Sequence, residues 1–226
     1  MRGCFVTGTD TGVGKTVLSA AVVAGLSAQG IRVRALKPII TGLDEAPDPD
    51  WPPDHQLLAS VAGATAQETM LVGYGPPVSP HLAAELAGRP LELGPLVSSI
   101  RALQAAETAL VVEGVGGLLV PLSARASVRD LARELGLPVL VAARPGLGTI
   151  NHTLLTLEAA RAAGLSVAAV VLTPWPAEPS AMELSNRSTI ESLGQVEVGV
   201  LAPVPGPSPE HLAAAAADFP LRRWLA

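Results

Sequence analysis

The sequence predicts an α/β fold: a mostly parallel sheet with helices on both faces. Two observations point there. Short apolar runs, continuous rather than alternating, recur between longer helical stretches, as expected of strands buried on both faces. The first of these runs, Cys4-Phe5-Val6, leads into a glycine-rich turn, Gly8 to Thr16, that ends in Gly14-Lys15-Thr16 and opens a helix. No linker, composition shift or internal repeat divides the 226 residues, so one domain over 1–226 is expected.

Along the chain, strands are expected near residues 3–8, 32–37, 109–113, 138–143, 167–172 and 197–201. Helices fall near 15–29, 55–63, 80–88, 95–106, 127–135, 151–163, 181–193 and 209–216. The first helix is apolar and alanine-rich from Val17 to Leu26. Gly30 and Gly164 stand just past helices, where a left-handed closing residue belongs. Pro38, Pro138 and Pro174 mark strand edges, and Asp44 to Pro53, rich in Pro and Asp, reads as a loop.

Gly8-Thr9-Asp10-Thr11-Gly12-Val13-Gly14-Lys15-Thr16 is a phosphate-binding loop. A strand running into a Gly-rich turn and then a helix aims backbone N–H groups and the positive helix end at one point, where a triphosphate can settle. Lys15 would reach the β and γ phosphates and the Thr16 hydroxyl a Mg²⁺ ion. Thr9 stands where the strict pattern has its first glycine, with Gly8 one step earlier. Loop and sheet together describe a P-loop NTPase-like fold.

Of fifteen Lys and Arg residues, only Lys15 and Lys37 are lysines. In a chain that disfavours lysine, the survivors mark places where a compact ammonium is needed instead of a planar guanidinium. Lys37, in Leu36-Lys37-Pro38, falls at the carboxyl end of the second strand, the edge where open parallel sheets bind ligands. A chance surface lysine is the alternative.

Glu113 ends the strand Ala109-Leu110-Val111-Val112 and is followed by Gly114-Val115-Gly116-Gly117. That is the placement of a Mg²⁺-ligating carboxylate facing the phosphate loop, with glycines that allow backbone to approach a ligand. Asp54 precedes a helix, as an N-cap or as a second carboxylate for Mg²⁺. Asn151 is an N-cap candidate too.

The remaining composition is restrictive. A net charge of −5 argues against nucleic-acid binding, which needs a basic face. No apolar run is long enough to span a membrane. The single cysteine, Cys4, rules out a disulfide framework and fits a reducing cytoplasm. His55, His81, His152 and His211 show no zinc-ligand spacing, and no nucleophile elbow is present.

The motifs Gly8 to Thr16, Leu36-Lys37-Pro38 with Thr41-Gly42, Val112 to Gly117, and Ile150-Asn151-His152-Thr153 together resemble the dethiobiotin synthetase family. The resemblance runs from residue 3 to about residue 172. It implies conversion of 7,8-diaminononanoate, CO₂ and ATP to dethiobiotin by a Mg²⁺-dependent homodimer, a step of biotin synthesis. Carried over by position, Gly12, Val13, Gly14, Lys15, Thr16 and Val17 would hold the nucleotide, with Asp54, Glu113, Gly114, Val115 and Gly116. Lys37 and Lys15 would be catalytic, and Thr16, Asp54 and Glu113 would hold Mg²⁺. Thr11, Lys37, Thr41 and Gly116 would meet the substrate, and Asn151 would reach it across the dimer interface. Thr173, Ala202, Pro203 and Val204 would lie at the base.

One position departs from the family. Where members that select adenine carry Asn after the fifth strand, this chain has Thr173, which lacks the paired donor and acceptor of an amide. Loose base selectivity, with CTP or GTP used beside ATP, is the expectation. Two other readings compete. A nucleotide-switch ATPase would carry a second loop lysine where Asp10 stands, and a cobyrinate-type amide ligase would need a cysteine glutaminase domain.

Overall fold

The computed structural model describes residues 2–46 and 48–225. Pro47, inside the loop expected over 44–53, lies outside the described residues. Six strands form the main sheet: β1 (Gly3–Gly8), β2 (Arg32–Leu36), β5 (Thr108–Glu113), β8 (Val139–Ala143), β9 (Val167–Leu172) and β10 (Val198–Val200). Their order is β10-β9-β8-β1-β5-β2, and every neighbouring pair is parallel. All six were expected from the apolar runs.

The two faces of the sheet are built differently. On one, Cys4, Val6, Ala35, Ala109, Val111, Leu140, Ala142, Ala169 and Val171 pack against α1 (Lys15–Ala28) and against α2 (Asp54–Ala62), α9 (Pro209–Ala215) and α10 (Leu221–Trp224). Four of these strand residues are alanines, and α1 between Leu18 and Leu26 is buried all round, so its backbone comes close to the sheet. A helix without a polar face is a core helix. The other face carries larger groups, Phe5, Leu36, Leu110, Val112, Val139, Val141 and Leu172. It is covered by α5 (Leu93–Ala102), α6 (Val128–Leu135), α7 (Thr149–Ala162) and α8 (Ala181–Gly194).

Helix ends follow local chemistry. Gly30 and Gly164 have φ of +74° and +75°, the left-handed closing positions that their place after α1 and α7 demanded. The chain turns out of α5 at Ala102, earlier than the expected 106. Glu107 then adopts φ +59° and leads straight into β5.

Several short elements had no sequence expectation. They are β3 (Ile39–Ile40), α3 (Ala66–Thr69), β4 (Val72–Gly73), the hairpin of β6 (Pro121–Ser123) and β7 (Ala126–Ser127), and α10. Two to four residues are too few for any periodicity to register. β3 and β4 pair in parallel, Ile39 with Val72 and Ile40 with Gly73. This pairing places residues 66–74 beside the chain that follows Lys37. Helix α4 (Pro80–Leu86) starts on Ser79-Pro80, with proline in its favoured first turn.

Candidate active site

Three adjacent strands bring the site together. The pairings Val6 with Glu113 and Leu36 with Val112 leave the ends of β1, β5 and β2 level. The phosphate loop after β1, Glu113 at the tip of β5 and Lys37 after β2 therefore open on one edge of the sheet, the carboxyl edge. A cleft of about 690 Å³ lies there. Its walls include Thr11, Gly12, Gly14, Lys15, Thr16, Val17, Lys37, Thr41, Asp54, Val115 and Gly116.

The loop is shaped for an anion. Gly12 and Gly14 have φ of +69° and +88°, which only glycine adopts without strain. Gly14 is the N-cap of α1, no side chain caps the helix, and its first turn holds no acidic residue. The free N–H groups of that turn are thus open to a ligand, with the helix dipole behind them. Val13 is buried beneath the loop and packs in the core beside α1.

The two lysines are both only 6% exposed and both point into this site. Lys15 Nζ donates to the Asp10 carbonyl at 2.8 Å, folding back over its own loop. Burial pushes its amine down to about 8, against the pull of the Glu113 carboxylate. Lys37 Nζ donates to Glu113 Oε1 at 2.9 Å and pairs with Asp54. The Thr16 hydroxyl donates to the same Glu113 oxygen at 2.8 Å. Glu113 Oε2 is buried and has no hydrogen-bond partner among the described residues.

Those contacts decide between the alternatives left by the sequence. Lys37 is not a surface lysine. Asp54 is the first residue of α2 instead of its cap, which is Pro53, and its carboxylate is turned onto Lys37. Asn151 is not an N-cap either: Gly148 caps α7, and Asn151 sits exposed in the helix's first turn.

An oxygen-preferring cation fits here. Glu113 Oε2 lacks a partner, the Thr16 hydroxyl is bonded to the other oxygen of that carboxylate, Asp54 meets Glu113 at the shared Lys37 ammonium, and such a donor set suits Mg²⁺. No group of three or more His, Cys, Asp or Glu gathers among the described residues. Two carboxylates and a hydroxyl leave positions for phosphate oxygens and water, the usual arrangement for Mg²⁺.

Some expected residues stand apart from the cleft. Thr173 is buried at the end of β9 behind the loop: a Cβ on Gly14 would lie 2.7 Å from its Cγ2. Gly114 closes in on Phe5 and Val128, so it supports the cleft from behind. Ala202 and Pro203 are exposed and Val204 half-buried beyond β10.

The structure also adds residues. Glu45, Pro77, Val78, Ser79 and Pro80 line the cleft, brought there by the loop after β3 and the start of α4. Ser79-Pro80, a helix start, was their one sequence signal. Arg144, just past β8, donates from Nη2 to the Gly12 carbonyl at 3.1 Å, bracing the loop from outside. Its signal was a cation at the carboxyl end of a buried strand.

Comparison with known proteins gives this geometry a family. Over 205 residues the chain is 44% identical to the ATP-dependent dethiobiotin synthetase of Anaeromyxobacter dehalogenans, covering 90% of each protein. The chain belongs to the dethiobiotin synthetase family. The corresponding enzyme of a Mycobacterium species (strain KMS) is 40% identical over 233 residues, 100% of this chain and 99% of that one. A family described as an AAA domain matches residues 2–208. A ParA family ATPase from Chlorobium tepidum has a TM-score of 0.53 at 11% identity, over 98% of this chain and 94% of that one. The Pyrococcus furiosus cell division ATPase MinD has 0.52 at 17%, over 97% and 92%. Those two likenesses show that this chain shares the parallel-sheet fold of such ATPases. The chain lacks a loop lysine at Asp10, and the site carries Lys37 instead.

Proposed function

We propose that this protein joins CO₂ to 7,8-diaminononanoate with ATP and closes the product to dethiobiotin, in biotin synthesis. The observation that carries the proposal is the meeting of both lysines of the chain with Asp54, Glu113 and Thr16 at one phosphate-binding cleft. A ligase that works on an anionic carbamate needs positive charge, and the cleft offers two buried ammonium groups.

The chemistry proceeds in three steps. One amine of the diamine adds to CO₂ and loses a proton, forming a carbamate. A carbamate oxygen then attacks the γ-phosphorus and ADP leaves, giving a carbamic–phosphoric anhydride. The second amine attacks the carbonyl carbon and gives up a proton to solvent, the bond from that carbon to the phosphate oxygen breaks, phosphate departs and a cyclic urea remains. Mg²⁺ held by Thr16, Asp54 and Glu113 would offset the triphosphate charge. Lys15 and the N–H groups of Gly12 to Lys15 hold the β and γ phosphates, while Val17 and the first turn of α1 extend that cradle. Lys37 stabilises charge on the carbamate oxygen and on the transferring phosphoryl group. Thr11, Thr41 and Gly116, on the cleft walls, position the diamine.

A homodimer completes the site in this proposal. Asn151 is exposed on α7, outside its own cleft, and would serve the partner's substrate. Leu119 and Leu155 lie together nearby and are 59% and 57% exposed, an apolar surface suited to a second copy. The base would lie toward Thr173 and Ala202-Pro203-Val204. With Thr173 lacking an amide, we expect comparable turnover with ATP, CTP, GTP and UTP, and a strong preference for ATP would remove that part of the proposal. A cytoplasmic setting fits Cys4, free and buried in β1. No helix among the described residues is long and apolar enough to cross a membrane.

Phosphate release with ATP, Mg²⁺ and bicarbonate, with and without the diamine, tests the reaction. Dependence on the diamine, reduced by about 10²-fold or more in Lys37→Ala, supports it. Diamine-independent hydrolysis that survives Lys37→Ala would point to a nucleotide switch.

A further inference from the structure

Lys37 and Asp54 reach the cleft from different elements, one just past β2 and one at the start of α2. Lys37 lies one residue beyond the last ladder pair, Leu36 with Val112, so the sheet no longer holds its backbone. Thr69 holds it instead. This residue is fully buried at the end of α3, and its carbonyl accepts the Lys37 N–H at 2.7 Å. Its hydroxyl lies 2.9 Å from the carbonyl of His55, the residue next to Asp54, and 2.8 Å from that of Ala66 in its own helix. A carbonyl in the first turn of a helix has a second lone pair to offer, so the bond to His55 leaves the ladder of α2 intact.

We propose that Thr69 is a positioning residue for the reaction, a bridge between the Lys37 backbone and the first turn of α2. The inference rests on the role of Lys37 proposed above. Thr69 is itself fixed from behind. Thr65 and Glu68 form a capping box, with Glu68 Oε2 accepting from both the Thr65 N–H and its hydroxyl at 2.8 Å. On the cleft side, lysine has a flexible four-carbon stem that finds its target only from a fixed starting point. A shift of α2 relative to β2 would move the Asp54 carboxylate away from the ammonium, and positioning errors near 1 Å are costly to catalysis. None of these contacts touches the phosphate loop.

Thr69→Val removes the hydroxyl and keeps the shape and the backbone bond to Lys37. In the diamine-dependent assay we expect kcat to fall about tenfold while KM for ATP stays within about twofold. Thr69→Ser, which keeps the hydroxyl, should restore most of kcat. Should Thr69→Val fail to fold by its melting curve, Thr69→Ala, with no added bulk, takes its place. Single-turnover rates in the Lys37→Ala background close a double-mutant cycle, in which loss of the Thr69 hydroxyl should make no further difference. Wild-type kcat in the hydroxyl-free variant would overturn the proposal. The same fractional loss in both backgrounds, or a rise in ATP KM matching the fall in kcat, would overturn it too. If Lys37→Ala itself turned over normally, the reaction assigned to the cleft would fall instead, whatever position 69 showed.

Discussion

At Lys15 the protein carries a proton that depends on pH. Its amine is pushed down by burial to about 8, whereas an unburied lysine holds its proton to about 10.5. Between those values the unfolded chain binds the extra proton, so this residue makes stability rise with pH through that window. A bound triphosphate reverses the preference, because its negative charge favours the ammonium. ATP binding near pH 8.5 should therefore take up a fraction of a proton, seen as a binding enthalpy that varies with the ionisation enthalpy of the buffer. An enthalpy independent of buffer would mean that Lys15 is already fully charged in the free protein. Gly14 has a different constraint, since at φ +88° a Cβ would lie 2.7 Å from Thr173 Cγ2. Gly14→Ala should cost ATP binding at least tenfold, while Gly14→Ala with Thr173→Ser relieves the clash but leaves the backbone strain. Isothermal titration of the two variants separates the terms.

At the level of helices, close packing and open space give opposite predictions for glycine. Gly25 in α1 faces α9 and α10, and a Cβ there would meet Leu221 Cδ1 at 2.7 Å and Ala216 Cβ at 3.1 Å. Gly25→Val should destabilise by about 1–3 kcal/mol through overpacking, measured by urea unfolding. Gly94, in the first turn of α5, has nothing within 4 Å of a Cβ. Gly94→Ala should stabilise by about 0.5 kcal/mol, because the unfolded chain loses freedom and the native chain loses nothing. The same contrast explains what could be read in advance. Runs such as Val139–Ala143 are buried on both faces, so the burial wrote itself into continuous apolar sequence and made such strands visible. Glu113 was visible for a related reason, since it breaks an apolar strand at its carboxyl end, and Lys37 because lysine is otherwise absent from all but the phosphate loop. β3, β4 and α3 were not, since their positions follow from pairing across thirty residues or more, and a dipeptide such as Ile39-Ile40 has no period. Glu45 reaches the cleft through those same connections and carries no local sign of it, while Ser79 is marked only as a helix start. Thr69 escaped notice because its role lies in a hydroxyl and a carbonyl that bond to residues fourteen and thirty-two positions away.

For the whole molecule, the exposed leucines should govern assembly. Leu155 on α7 stands beside Leu119, and Leu155→Asp puts a charge into the surface that the homodimer proposal covers. Sedimentation should show a dimer for the parent and a monomer for the variant, with activity lost in parallel if Asn151 serves the partner's cleft. A parent that sediments as a monomer at working concentration would remove the shared site. The scarcity of lysine has a last consequence, for how the protein can be observed. Both lysines are 6% exposed and sit in the cleft, so a lysine-specific protease has its two cleavage points there and nowhere else in the chain. Cutting can proceed only when the cleft loosens, and its rate becomes a clock for that opening, read by mass from the intact, unlabelled protein.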